Sequence, residues 1–465
     1  MKRIVLILLL SLPISTRVSA QEGWGSVSGS LESQSVFYTD GAFRSNNYLK
    51  LDYVRGRFSA GVQAEYYPDP LLGYDLELKG FGLPGKYLSW TGETFGITLG
   101  DFHEQFGTGI ILRSWEDRAL GWNNSLGGAL MDLRSRDDMF SLKVLGGVPR
   151  RCLRYSPTDR LAGAELAFRS GVFDAQGSAV VRHDGKVTDL SWSALLGFSD
   201  GGFTARAEWV GKRSGNAQTL ELGYAKSRFS SSLTLRRLDG MLDPMGMNYL
   251  PALCQEQSYM LACLNPYTTF ASGELGGSAD VFYRLKTWRF HVSGSWIMAL
   301  PKALKNHDVL RLAYRDINLQ AENRWNRRLR TVFFVSIQEN SPTHGERKAT
   351  NAQNVFVVDG VYRFDGPLSL RMQAQYLYSE ELTRDWMAAM VELTSTKGWG
   401  IHLQDMYNHG DTGENYYEAG VTWTRDGFKA DLSYGHQRAG LVCSGGVCRW
   451  QPEYEGGMLR LFYNF

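Results

Sequence analysis

A chain of 465 residues with a formal net charge of +2 is too nearly neutral for a nucleic-acid partner, whose phosphates call for a basic face. Its composition, with 13% aromatic residues, 51 Gly, 13 Pro and a mean hydropathy of -0.28, is that of a chain hiding its hydrophobicity in alternation. A membrane barrel does this, turning apolar residues to lipid and polar ones to the lumen, and the apolar stretch Ile4 to Leu10 near the start is far too short to span a bilayer as a helix, with no comparable run after it.

In chain order, Met1-Lys2-Arg3 is a short basic start, Ile4 to Leu10 an unbroken apolar stretch, and Val18-Ser19-Ala20 a small-residue cleavage site before Gln21. These predict a signal peptide over residues 1–20, Sec-type export, and cleavage near Ala20. No cysteine follows that site, so a lipid anchor is not expected. Residues 21–465 then read as one domain without internal repeats.

Paired strands follow. Leu220, Leu222 and Tyr224 alternate with Glu221 and Gly223; Tyr417, Ala419, Val421 and Trp423 alternate with Glu418 and Thr422; Phe428, Ala430, Leu432 and Tyr434 alternate with Lys429, Asp431 and Ser433. Charges keep to one face, as a wet lumen requires. Asp, Gly and Pro clusters such as Asp200-Gly201-Gly202 and Asp426-Gly427 mark tight hairpins. Longer connections near 39–46, 149–160, 239–274, 300–307, 340–352, 380–385, 409–415 and 439–453 alternate with them in a strict short-long rhythm. The predicted fold is all-β: a single transmembrane antiparallel up-and-down β-barrel with an even count of about 24 strands, within about 22–26. The spread arises at residues 73–113, where glycines interrupt the pattern and two or four strands fit.

A barrel that wide encloses a lumen that must be filled. Two stretches are candidates to fold inward: Asp101 to Asn124, favoured here, and the cysteine-bearing connection near 239–274. The first concentrates charge, with Arg113, Arg118, Arg134 and Arg136 close in sequence to Glu104, Glu116 and Asp117. Two readings stand side by side: a charged constriction that selects solutes, with Arg113 and Arg118 paired to Glu116, Asp117 or wall acids such as Glu104, or a polar network that pins the segment to the wall. Gly100 to Gly107, followed by Arg113, Glu116, Arg118, Leu120, Gly121 and Asn124, resembles an element of an uncharacterised family, a domain of unknown function, of Bacteroidota outer-membrane barrel proteins. The family usually carries aspartate where this chain has Asn123. The resemblance implies fold and location; the family has no established activity and lends no catalytic residues.

Further along, Arg150, Arg151, Arg154 and Arg160 read as a surface-loop cluster facing lipopolysaccharide phosphate. Exported chains can carry disulfides, and the spacing predicts Cys254–Cys263 and Cys443–Cys448 with Cys152 left free. His307, His344, His409 and His436 fall where loops would form an outer rim, without metal-ligand spacing. His103 and Glu104 beside Asp101 are a weak acid-base group, and no Gly-x-Ser-x-Gly, His-Glu-x-x-His or phosphate-cradling loop is present. No enzyme, cofactor or metal is expected.

The chain closes on Met458 to Phe465, where Leu459, Leu461, Tyr463 and Phe465 share one parity and Met458, Arg460, Phe462 and Asn464 the other. That is the expected closing strand, its apolar face in lipid and its terminal aromatic a signal to the barrel-insertion machinery. The function classes left are a channel or transporter with a charged inward constriction, or a non-conducting barrel that docks another outer-membrane or periplasmic protein. Outer-membrane lipid and lipopolysaccharide are partners of either.

Overall fold

The computed structural model describes residues 24–248, 250–304, 310–347, 349–381, 384–444 and 447–465; the expected signal peptide, its cleavage site and His307 lie outside them. Among the described residues, 24 antiparallel strands close into one barrel. Closure is made where Ser30–Tyr38 of the first strand pairs with Gly456–Asn464 of the last. Two successive strands, Gly80–Thr91 and Phe95–Phe102, take up the stretch whose count the sequence left open, and among the described residues no helix is long and apolar enough to cross a membrane.

The alternation inverts the order of a soluble protein. In the strand Thr188–Asp200, Leu190, Trp192 and Leu196 are 53%, 46% and 66% exposed while Ser191 and Ser193 are buried. Likewise Ile317, Leu319 and Ile337 face outward and Asp316, Asn318, Ser336 and Gln338 are buried inside. Because side chains repeat every second residue, one register turns a strand's lipid-facing set outward at once, and the apolar residues on the other parity, such as Leu195, Val180 and Val355, are buried on the inner side. At the tight-turn end the outer face carries a run of touching rings, among them Phe140–Phe168, Phe173–Phe198–Phe203, Trp288–Trp325 and Trp423–Phe428–Tyr463–Phe465. In the closing strand, Met458 is buried and Arg460 meets Asp431 at 3.6 Å, and Phe465 is 48% exposed.

The rhythm of connections is looser than the sequence pattern predicts. Residues 213–214 and 184–187 join strands at the long-loop end as tightly as any hairpin. The large connections at that end, residues 103–125 and 240–272, turn back toward the axis, and both candidate stretches therefore lie in the lumen.

Candidate functional site: a two-part lumen plug

The first inward segment leaves the wall at Phe102 and re-enters it at Leu126. Its middle is a short apolar knot: Phe106, Ile110, Ile111 and Leu112 are each at most 1% exposed. Two-residue strand pairs shape it, Gln105–Phe106 with Leu112–Arg113 and Glu116–Asp117 with Trp122–Asn123. Such a short fragment cannot satisfy its own backbone, so the wall does it. Gly107 N donates to Glu165 Oε2 at 3.0 Å and Thr108 N to Glu208 Oε2 at 3.0 Å. The Thr108 hydroxyl donates to the same Glu208 oxygen, and Arg182 donates to the Ile111 carbonyl.

The expected charges divide. Arg118 pairs with Glu32 of the first strand at 2.8 Å and with Glu116 at 3.3 Å; burial opposes its charge, but the two carboxylates outweigh this and hold it more firmly protonated than an ordinary arginine. Glu116 also accepts from Gln63 at 2.7 Å. Glu104 takes Lys143 of the wall at 2.9 Å, while Arg113 lies over the Trp115 ring at 4.8 Å. Asp117 serves a turn, accepting from the amides of Ala119 and Leu120. Arg134 and Arg136 do not join the group: Arg134 pairs with Asp132 near the tight turn at residues 135–139, which carries Arg136 exposed. Closeness in sequence misled there, because a strand runs from the segment to the far end of the barrel. Arg118, Glu104 and Glu116 are each matched to a wall partner and so tie the segment to the wall.

The second segment, residues 240–272, has two parts. Met241, Met247 and Leu250 complete the apolar knot of the first segment, and Asn248 Nδ2 reaches the Ile110 carbonyl at 3.1 Å. In the other direction Arg113 N donates to Met247 O at 2.6 Å and Asn124 Nδ2 to Gly246 O at 2.9 Å. The later part packs on the opposite wall, with Tyr259, Leu261 and Leu264 against Phe334, Val355, Val357 and Leu377. Neutral amides hold it: Gln375 accepts from Leu261 N at 3.1 Å, Gln338 donates to Ala262 O at 3.2 Å, and Asn265 donates to Gln353 at 3.0 Å. Together the segments tie half of the barrel to the other half through the axis.

The cysteines differ from expectation at one pair. Cys443 and Cys448 are bridged, and Cys152, Cys254 and Cys263 are free thiols. The spacing of Cys254 and Cys263 suits a small ring, but the fold pulls them apart in role. Cys254 joins the cluster of Leu253, Tyr267, Ile297 and Ala299, whereas Cys263 donates to Gln257 O at 2.7 Å between residues that pack on another wall. The basic run also splits. Arg150 is 4% exposed and joins Glu65 at 2.8 Å, Arg151 takes Asp159, and Arg160 folds back on the Asp159 carbonyl. Of the rim histidines, His344 stacks on Phe270 at 4.8 Å, His409 lies by Tyr376, and His436 meets Glu453. Among the described residues no group of His, Cys, Asp and Glu could hold a metal.

The wall partners Glu32, Gln63, Glu165, Arg182 and Glu208 are the functional residues that sequence reading missed. Their one signal is parity: Glu165 in Ala164-Glu165-Leu166 and Glu208 in Ala207-Glu208-Trp209 fall on the inward face between apolar neighbours.

The architecture defines the class: a closed antiparallel barrel with apolar outside, polar inside and a lumen plugged by its own connections. The chain belongs to DUF6029, a family of unknown function, whose model matches residues 1–465. No curated relative matches it. Among solved structures it is similar to the translocation pore of the P pilus usher PapC (8% identity, 94% of this chain and 99% of that one, TM-score 0.49). It is also similar to the copper transporter OprC (10%, 96% and 84%, TM-score 0.47) and to the siderophore receptor PirA from Pseudomonas aeruginosa (10%, 94% and 80%, TM-score 0.46). These overlaps are too loose to carry an argument about what the chain does.

Proposed function

We propose that the protein is an outer-membrane barrel of the channel or transporter class that is closed at rest and opens for a polar solute when its plug moves. It carries no enzyme activity in this reading, and its envelope is that of the Bacteroidota, as the resembling motif implies. The membrane setting is supported by the inverted alternation and by the ring belt, an arrangement expected where a barrel crosses an interface. The closed state rests on one observation: Phe106, Ile110, Ile111 and Leu112 of the first segment meet Met241, Met247 and Leu250 of the second in a single buried cluster. Water does not cross a packed apolar knot. A permanently open porin is the reading this disfavours.

The second reading, a non-conducting barrel that docks another envelope protein, is favoured by the same welding, since a segment bonded to both walls is costly to move. Conductance in planar bilayers separates the two. The wild-type protein should be silent, and a variant lacking residues 103–123 should conduct. Steady conductance from the wild type would overturn the closed state; a folded, inserted deletion variant that stays silent would favour the docking barrel.

A further inference from the structure

The wall is notched on its outer face beside the root of the first inward segment. Strand Gly80–Thr91 pairs with its neighbour Phe95–Phe102 only from Tyr87 to Thr91, so Gly80 to Lys86 run on past the point where that neighbour turns into the lumen. The edge is not left bare. Lys86 N donates to Asp101 Oδ2 at 2.8 Å, and the tight hairpin Arg150–Tyr155 folds across. Tyr155 donates to Asp101 Oδ1 at 2.6 Å, and its ring fills the space a side chain at Gly127 would occupy. Asp101 shares the face of Leu99, which is 48% exposed, so this covering lies on the outside of the barrel.

Between strand edge and hairpin is a cavity of about 330 Å³. One side is apolar: Phe81 and Leu83, 64% and 46% exposed, with Leu153 opposite. The other is cationic: Lys86 and Arg154 are exposed, and Arg150 is the buried base. Arg150 spends Nη2 on Glu65 and Nε on the Cys152 carbonyl, while among the described residues its Nη1 finds no hydrogen-bond partner. A buried guanidinium N–H without an acceptor is costly, and a lysine and an arginine placed on an outer face that is otherwise apolar are costly too. An anion satisfies all three, and the apolar flank calls for a hydrocarbon chain on the same molecule.

We infer that this notch binds one phosphate-bearing lipid of the membrane, its phosphate on Lys86, Arg154 and the free Nη1 of Arg150 and its acyl chain over Phe81, Leu83 and Leu153. Phosphate matches the planar, forked donors of arginine. The inference rests on the membrane-spanning reading above, and vesicle insertion is scored separately so that the two can fail independently.

The test is native mass spectrometry of the full chain in detergent, with dioleoyl phosphatidic acid, dioleoylglycerol and inorganic phosphate as probes. One phosphatidic acid should stay bound where dioleoylglycerol does not. The Lys86→Ala/Arg154→Ala variant, which leaves the buried Arg150–Glu65 pair intact, should lose about tenfold in retention, as expected when charge-assisted contacts are removed. Lys226→Ala/Arg228→Ala, a basic pair at the tight-turn end, should lose nothing. Equal retention of dioleoylglycerol, equal binding by the Lys86/Arg154 variant, or inorganic phosphate displacing the lipid would each overturn the site. A chain that folds in detergent yet does not insert into vesicles would instead sink the membrane reading.

Discussion

The two halves of the plug are held by different chemistry. The first segment is fastened by charge, with Glu165 and Glu208 receiving its backbone amides and Glu32 and Lys143 taking Arg118 and Glu104. The second has ionic holds toward its ends, Arg182 on Asp243, Arg236 on the Pro251 carbonyl and Glu274 on the Phe270 amide and the Tyr267 hydroxyl. Through residues 259–265, however, it is fastened by neutral amides and aliphatic packing, Gln338, Gln353 and Gln375 beside Val355, Val357 and Leu377. Ionic partners inside a low-dielectric lumen are strong while complete and expensive when one member is removed. Amide partners are weaker but forgiving. The first segment is therefore the brittle half, and the second, held by amides through residues 259–265, the compliant one.

The largest test of that contrast is deletion of each half in turn. Removing residues 103–123 also takes from Met247 and Asn248 their contacts to Arg113 and Ile110, so both halves should loosen and conductance should be large and noisy. Removing residues 253–270 leaves the knot of Phe106 and Met247 intact, and conductance should be smaller. Equal currents from the two deletions would erase the distinction.

Single side chains sharpen it. Phe106→Ala, in the knot, should destabilise by about 3–5 kcal/mol and Leu261→Ala, in the compliant half, by about 2–5, read by denaturant unfolding. Glu208→Ala strands the Thr108 amide and hydroxyl and should cost about 1–3 kcal/mol. Gln375→Ala strands one neutral amide, that of Leu261, and frees Gln373, and should fall at the lower end of the same range, about 1 kcal/mol. A Gln375→Ala effect larger than that of Glu208→Ala would reverse the assignment of brittle and compliant halves.

The thiols give a covalent check on the compliant half. Burial pushes the Cys263 thiol up to about 11 and raises Cys254 as well, so neither is a ready thiolate near neutral pH. Mass mapping without reduction should find Cys443 linked to Cys448, and Cys152, Cys254 and Cys263 as thiols that alkylate only slowly until the chain is unfolded. A peptide linking Cys254 to Cys263 would show that this part of the plug is pulled into a ring.

How much of this the sequence discloses depends on whether the governing contact is periodic or distant. Alternation in stretches such as Tyr417 to Trp423 carries the barrel and its count, because period two is local. The inward turn of residues 103–125 is legible from its charges and aromatics. Its partners are not: Glu208 is a lone carboxylate between Ala207 and Trp209, and only closure of the barrel brings it to Thr108. Arg134 and Arg136 fail for the converse reason, being near in sequence and a strand's length away in space. Cys254 and Cys263 fail because loop length alone does not say which wall each thiol packs against. Arg150 reads as a surface cation, and only the notch explains how Glu65 can reach it.

The smallest effect is that of acid on the compliant half, and its sign follows from burial. His344 stacks on Phe270 and lies 5.8 Å from Tyr267, and desolvation lowers its pKa below the ordinary 6.5, with Thr268 and Glu274 opposing in part. The unfolded imidazole thus binds a proton more readily than the docked one. Docking is fully stable above the ordinary value and weakens as pH falls through it toward the depressed one. The protection of amides in residues 262–270, taken relative to their intrinsic base-catalysed exchange, should therefore fall between pH about 7.5 and about 5.5, and His344→Phe, which keeps the stack and cannot titrate, should flatten the change. His103 is lowered by burial in the same way, but the first segment has Glu165, Glu208 and Glu32 to hold it, so its exchange should respond less. A larger acid-induced loss of protection in residues 105–113 than in 262–270 would mean that the first segment, not the second, is the half that yields.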